Sequence, residues 1–277
     1  MTKLGSFLID RALEIGSLCI VIIIWEFAAI FLVKNQFLLP SFFLGGFIPI
    51  DSTTRLNFTV VLAFSELLSS GILLGDVLTS LFHLATGLAI ATCVGIPIGA
   101  LTGWFRIADR VVDPIIEILR PIPPLAWIPF ALIWFHLTHY AAGFIVFIGA
   151  IFPILVNTHA GFRSVPTELI ESAKVLGCTK NHDLIKAVAF PSALPFITTG
   201  IRIGTGVGWM CVVAAEYFGV STSGLGYRLW LKFYPFHQMD NLLVYLIILG
   251  LLALLIDRSF RFFIKKTLLK WHKEIAA

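Results

Sequence analysis

Charged residues are scarce in this sequence. Only 13% of its 277 residues are charged, whereas 58% are hydrophobic and the mean hydropathy is +0.94. Soluble domains carry about 25% charged residues, and a soluble chain of this length could not hide so much apolar surface from water. The composition therefore excludes a soluble globular protein and predicts one membrane domain over residues 1–277.

The sequence also lacks the patterns that support covalent, metal or nucleotide chemistry. Its four cysteines show no framework spacing, and three of them fall in expected apolar helices, where cysteine behaves as a small hydrophobe. His83, His136 and His139 are the imidazoles near expected spans, and they lack the spacing of a metal site on one helix. No catalytic set and no phosphate loop of the Gly-x4-Gly-Lys-Ser/Thr kind occur. We therefore expect no catalytic residue, metal or cofactor on this chain, and no nucleic-acid partner.

Long apolar segments predict an all-α fold, a polytopic membrane protein with about six transmembrane helices. A span needs about 20 mostly apolar residues. The candidate segments are 16–34, 81–103, 122–138, 141–158, 193–216 and 241–257. The third is rich in proline, so it should start irregularly. The shorter apolar segment 58–70 is expected to lie at the interface or to pack on other helices.

Basic residues predict the orientation. If the N-terminus is cytoplasmic, the inside segments hold most of the 20 Lys and Arg residues. The positive-inside rule then places both termini in the cytoplasm. The basic and apolar tail Arg258–Glu274 suits an amphipathic helix at an anionic inner leaflet.

A polar segment, residues 159–190, follows the fourth span. Pro166 suits a first helical turn, and Glu168 and Glu171 follow where carboxylates complement the helix dipole. One apolar stripe runs along this helix: Leu169, Ala173 and Leu176. Gly177 should break the helix before a second short one. Because an exposed apolar stripe often meets a partner, the segment is either a docking site or a solvated linker.

The same segment contains Glu171-Ser172-Ala173, then Gly177, then Phe190-Pro191. These residues resemble the cytoplasmic motif of permease subunits of binding-protein-dependent ABC importers. That motif runs Glu-Ala-Ala, three residues, Gly, nine residues, Ile-x-Leu-Pro. Here Ser172 replaces an alanine, and Pro191 comes fourteen positions after Gly177, where the family usually has thirteen. The extra residue, around Asn181–Asp183, should rotate the second helix by about 100° unless the bend absorbs it.

The resemblance extends over most of residues 17–257. Leu119–Pro129, which reads LRPIPPLAWIP, and Gly200–Gly204, which reads GIRIG, are similar to the subgroup that serves nitrate, taurine, alkanesulfonates and related small substrates. His83 stands where these relatives often have arginine. The resemblance therefore implies a small anion, such as nitrate, taurine or another sulfonate, or bicarbonate, as the substrate.

The family implies a type I importer in a prokaryotic plasma membrane. Two permease copies, two ATPase subunits and an external substrate-binding protein would form it, with ATP and magnesium on the ATPase. Segment 159–190 would couple ATP-driven closure of the ATPase to the spans. The implied coupling residues are Glu168, Glu171, Ser172, Ala173, Leu176, Gly177 and Pro191.

Two charges lie within the fifth expected span. Arg202 and Glu216 project from nearly the same helix face, about 21 Å apart along the axis. Intramembrane charges usually face the bundle or a water-filled path, so both are candidates for the pathway or a gate. The alternative is that each snorkels to its own membrane face.

Three glycines on this span recur every four residues and predict close helix packing rather than nucleotide binding. They are Gly200, Gly204 and Gly208.

Two other function classes remain open. A secondary transporter driven by an ion gradient would need central intramembrane acids and inverted repeats. A membrane-embedded enzyme would need clustered His, Asp or Cys at one interface. Neither pattern is clear in this sequence.

Overall fold

The computed structural model describes residues 16, 19–28 and 60–267, and every regular element among them is helical. The first expected span, 16–34, lies mostly outside these residues, and its part 19–28 is helix α1. The other helices are α2 (Val60–Ser69), α3 (Ile72–Trp104), α4 (Arg106–Leu119), α5 (Ile128–Phe135), α6 (His139–Arg163), α7 (Thr167–Val175), α8 (Asn181–Leu184), α9 (Phe190–Tyr217), α10 (Leu225–Arg228) and α11 (Met239–Thr267). A 3-10 turn, Pro124–Trp127, precedes α5, and π-helical turns, Ile185–Ala189 and Leu229–Phe233, follow α8 and α10.

In the described part of the chain, four helical runs are long and apolar enough to cross a membrane. They are α3, α6, the continuous run Asn181–Tyr217, and Met239–Ile264 of α11. Each is longer than the apolar segment that predicted it. α3 begins at Ile72 rather than at 81, and α11 continues to Thr267 rather than ending at 257. The first part of the expected amphipathic tail is thus the end of α11, and residues 268–277 lie outside the described part of the chain.

The third expected span, 122–138, contains the 3-10 turn and α5, which form the second arm of a bent pair whose first arm is α4. α5 has eight residues and follows α4 at an angle of 88°. Pro121, Pro123 and Pro124 lie at the break, where fixed φ angles and missing N–H donors prevent a continuous helix. The irregular start is therefore as expected. α4 does not stand out in the sequence as an apolar segment, because it carries charged residues along one face. The opposite face is apolar and exposed at Ile107, Val111, Ile115 and Ile118.

The chain divides into two compact units. One contains the described residues up to Gly75 together with Leu229–Leu249. In it, α2 buries Val60, Ala63 and Leu67, as expected for a short apolar helix that packs rather than spans. The Phe233 ring meets the buried Tyr245 ring edge to face, with centroids 4.9 Å apart.

The other unit contains Asp76–Arg228 and the described residues from Gly250 onward. An extensive contact within it joins α6 and α9. The stripe Gly200, Gly204 and Gly208 lies buried on this contact. A Cβ at Gly204 would lie 3.0 Å from the Ala150 carbonyl oxygen on α6. The missing side chains let the two backbones approach.

A second stripe of small residues lies on α3 and faces α6. It consists of Gly87, Ala91, Gly95, Gly99 and Gly103. A Cβ at Gly99 would lie 2.6 Å from the Leu155 carbonyl oxygen, and one at Gly103 would lie 2.6 Å from that of His159. α6 therefore contacts both α3 and α9 through small residues.

Adding a methyl group at Gly200 should weaken the contact between α6 and α9. A Cβ there would lie 2.9 Å from Asn157 Cβ and 3.1 Å from the Pro153 carbonyl oxygen, and overpacking typically costs about 1–3 kcal/mol. We expect Gly200→Ala to lower the midpoint of thermal unfolding of the detergent-solubilised protein. Gly206→Ala is the matched control on the same helix, because a Cβ there would meet no atom within 4 Å. An equal loss in both variants would contradict the packing role.

Candidate functional site

The segment between α6 and α9 begins with a short, well-defined helix. Pro166 is extended, with φ −60° and ψ 134°, and stands just before the first turn of α7 rather than in it. Glu168 lies in that turn, where its charge complements the helix dipole. The Ser172 hydroxyl donates to the Glu168 carbonyl oxygen at 2.7 Å. The serine that replaces alanine in the family motif therefore bonds within its own helix.

Gly177 fixes where α7 ends. Its N–H donates to the Lys174 carbonyl oxygen at 3.0 Å, and the Cys178 N–H donates to that of Ala173 at 2.9 Å. This pair of bonds is the Schellman motif. The φ of Gly177 is +99°, a value that favours glycine because it has no Cβ. The expected bend therefore lies at Gly177 and has a defined geometry.

The second short helix is not separate from the next span. α8 begins at Asn181 and continues through the π-helical turn Ile185–Ala189 into α9. Pro191 does not end this short helix, because it lies in the first turn of α9 within the same continuous run. A π-helical turn holds one residue more than an α-helical turn. This turn lies between Gly177 and Pro191, a few positions beyond Asn181–Asp183.

One side of α7 packs against the neighbouring helices, and the other side is exposed to solvent. Ile170 packs on a cluster made of the end of α6 and the start of α9: Phe162, Val165, Ala189, Ala193 and Ile197. On the outer side Leu169, Val175 and Leu176 are 50%, 88% and 85% exposed. We call these three residues the α7 patch. Of the expected stripe, Leu169 and Leu176 belong to the patch, whereas Ala173 is half-buried. Val175 belongs to the patch although it is not part of the expected stripe.

Glu216 is at the centre of a buried polar network. Its side chain has no exposure to solvent, so the alternative that it snorkels is wrong. Ser80 Oγ lies 2.9 Å from both carboxylate oxygens, and His83 Nδ1 lies 2.8 Å from Oε1. The Gly226 N–H donates to Oε2 at 2.9 Å, and the Leu225 N–H donates to Ser80 Oγ at 3.0 Å.

The network reaches the surface through a second histidine. His83 Nε2 lies 2.8 Å from Nδ1 of His139, the exposed first residue of α6. A further ion pair joins Arg228 of α10 to Asp76, which is buried on α3. The sequence does not reveal these partners because 56 to 152 residues separate them along the chain.

Arg202 lies in a different environment. Its Nε is 2.6 Å from Asp257 Oδ1 on α11, and Arg261 Nε is 2.8 Å from Asp257 Oδ2. The Arg202 side chain is 47% exposed. The structure therefore does not bring Arg202 and Glu216 together. Instead, the guanidinium groups of Arg202 and Arg261 share the single carboxylate of Asp257.

Comparison with known proteins agrees with the motif. The family described as "Binding-protein-dependent transport system inner membrane component" matches residues 95–268. A putative ABC transporter permease protein of Methanocaldococcus jannaschii is 39% identical over 95% of this chain and 93% of its own length. The bicarbonate transport system permease protein CmpB of Synechococcus elongatus is 39% identical over 65% of this chain and 64% of its own. The putative aliphatic sulfonates transport permease protein SsuC of Bacillus subtilis is 36% identical over 77% and 76%.

The fold has a solved counterpart. A chain of the MetNI methionine ABC transporter in an inward-facing conformation superposes with a TM-score of 0.62, over 71% of this chain and 96% of that one, at 22% identity. This likeness confirms the expected all-α importer permease fold. The family match and the long relative confirm the resemblance that the motif indicated. The chain therefore belongs to the inner-membrane components of binding-protein-dependent transport systems, the permease subunits of ABC importers.

Proposed function

We propose that two copies of this chain form the pathway through which an ATP-driven importer carries a small anion across a prokaryotic plasma membrane. Two ATPase subunits would bind at the cytoplasmic face, where we also place both termini, and a substrate-binding protein would dock outside. The observation that carries the proposal is the α7 patch. It is an apolar surface held in a fixed geometry within a polar segment, next to the spans of a family of ABC permeases.

The anchoring of α7 explains how docking would move the spans. Ile170 ties α7 to Phe162 at the end of α6 and to Ala193 near the start of α9. These two helices pack extensively on each other. A partner that displaces the α7 patch would therefore displace both helices together. Glu168 and Glu171, exposed beside the patch, would form its polar rim.

The remaining members of the motif support the same surface. Ser172 and Ala173 keep the helix narrow beside the patch, Gly177 sets its end, and Pro191 begins the span that follows the π-helical turn. ATP and magnesium would bind on the ATPase. The sequence of this chain carries no phosphate loop.

The substrate proposal rests on the relatives and on Arg202. Two of the relatives are named for bicarbonate and for aliphatic sulfonates, both of which are small anions. Arg202, Asp257 and Arg261 together carry one excess positive charge, which would attract an anion in the inner half of the membrane. We propose Arg202 as a pathway residue and Glu216 as a gate residue. The stripe Gly200, Gly204 and Gly208 would keep the helix that carries both packed on α6.

Placing a charge in the α7 patch should uncouple the permease from its ATPase. Leu176 is 85% exposed, so Leu176→Asp should leave folding intact, while burying the new carboxylate at an interface should cost about 2 kcal/mol or more, roughly 30-fold in affinity. We would measure copurification with the ATPase and substrate-stimulated ATP hydrolysis. Thr179→Asp, exposed just beyond the bend, is the control and should bind normally. Normal coupling in Leu176→Asp would show that the patch is not the docking surface.

Substitutions at Gly177 should act through backbone conformation alone. The φ of +99° disfavours side chains, and a Cβ there would meet no atom within 4 Å. Gly177→Asn should therefore retain more coupling than Gly177→Val, since asparagine tolerates positive φ and a β-branched residue does not. The rate of ATP-driven uptake in proteoliposomes measures this order. If both variants were fully active, the geometry of the bend would have no role in coupling.

Transport should depend on ATP and not on an ion gradient. Proteoliposomes holding the permease and ATPase, supplied with a loaded binding protein, should take up bicarbonate, nitrate or a sulfonate only with ATP on the ATPase side. Ionophores that collapse ion gradients should leave the initial rate unchanged. Uptake that needs a gradient and proceeds without ATP would favour the secondary transporter instead.

A further inference from the structure

Three polar residues lie on one face of α3 and all are buried. Asp76, Ser80 and His83 are at most 2% exposed, and their spacing of four and three residues places them in one row. Asp76 pairs with Arg228, and Ser80 binds both Glu216 and the Leu225 N–H. The row therefore holds residues Val220–Arg228, which follow α9 and which we call the α10 segment.

The Glu216 carboxylate fits tightly against this segment. A Cβ added at Gly224, whose φ is +126°, would overlap the carboxylate, and one at Gly226 would lie 3.0 Å from Glu216 Cβ. Both glycines therefore allow the backbone of the α10 segment to close over a buried charge. The α10 segment can move away from the carboxylate only if these hydrogen bonds break.

A buried carboxylate needs compensation for the water it has lost. Ser80 and the Gly226 amide donate as neutral dipoles. Among the described residues that contact Glu216 in this network, His83 is the one that can carry a full positive charge. The strength of the contact between Glu216 and the α10 segment therefore depends on whether His83 is protonated on both nitrogens.

The geometry gives that proton a route. Because a carboxylate only accepts, His83 Nδ1 carries hydrogen in either state. Nε2 then either accepts from His139 Nδ1 or donates to it across the 2.8 Å contact. His139 is exposed, and the Phe82 ring packs edge-on against it at a centroid distance of 6.0 Å. One proton taken up by His139 from solvent can thus make His83 an imidazolium beside Glu216.

We propose that Glu216, His83 and His139 form a proton-responsive latch that positions the α10 segment on α3. Histidine changes charge between pH 5 and 8. With His83 protonated on both nitrogens the latch is an ion pair and the segment stays seated, whereas with a neutral His83 the Glu216 carboxylate keeps only neutral donors and the segment is released more often. Among the described residues, the titratable groups bonded to His83 are Glu216 from α9 and His139 from α6, and the Asp76–Arg228 pair lies two turns along α3. In the importer that we propose, the latch lies at the outer face and makes gate opening depend on external pH.

Cysteine labelling tests the latch without requiring transport. Ser221 is buried and Thr222 is exposed in the α10 segment. In a background without the four native cysteines, Ser221→Cys and Thr222→Cys would be labelled with a membrane-impermeant maleimide in proteoliposomes of the full-length chain. The ratio of the Ser221→Cys rate to the Thr222→Cys rate cancels the titration of the thiol itself. We expect this ratio to rise roughly fivefold from pH 5.5 to pH 8. This factor corresponds to the difference in strength between a charged and a neutral hydrogen bond.

Latch variants separate this role from a merely structural one. His83→Gln, which cannot become charged, should make the ratio high and independent of pH, and His83→Arg should make it low and independent of pH. His139→Gln changes an exposed side chain, so it should fold normally and still flatten the profile. A flat profile in the unsubstituted chain, or an unchanged slope in His139→Gln, would overturn the latch. Because the labelling needs no ATPase, failure of the latch and failure of the importer proposal are distinguishable.

Discussion

The close approach of α6 to α3 and α9 is the constraint on which the larger unit depends. Lipid offers no hydrophobic drive for helices to associate, so van der Waals contact and satisfied polar groups must hold them. Small residues on α3 and on α9 bring both backbones against α6, to the point where a methyl group at Gly99 or Gly200 would meet backbone atoms. α6 therefore fixes where its two neighbours lie.

The α7 patch and the latch, the two features to which we propose a function, are attached to this packed group through α9. Near the start of α9, Ala193 belongs to the cluster on which α7 rests. Near its end, Glu216 holds the α10 segment against α3. The helix between these two positions rises by about 35 Å. Movement received at α7 would therefore reach the latch along one continuous helix rather than through a chain of loops.

Periodic features of the sequence predicted the local structure well. The glycine stripe of α9, the bend at Gly177 and the helix before it depend on neighbours within four residues, and their physics is visible in sequence. Hydropathy did not predict the full extent of α3 and α11 or the existence of α4. Polar residues lower the average hydropathy of a segment even where the helix continues through them, either on one face, as in α4, or beyond the apolar part of a span. The π-helical turn was missed for a related reason, since nothing in Ile185–Ala189 distinguishes it from an ordinary helix.

The polar network could not be predicted, because its members come from separate helices. His83 and Glu216 are 133 residues apart, and His139 joins them only because α6 begins beside α3. This placement also bears on the rival function. A central acid beside a histidine is typical of proton-coupled transporters, yet Glu216 contacts Ser80, His83 and the backbone of the α10 segment, and it is closed off from solvent. In the latch that we propose, a carboxylate bonded within its own chain in this way responds to a proton through His139, but it leaves no room to carry a substrate.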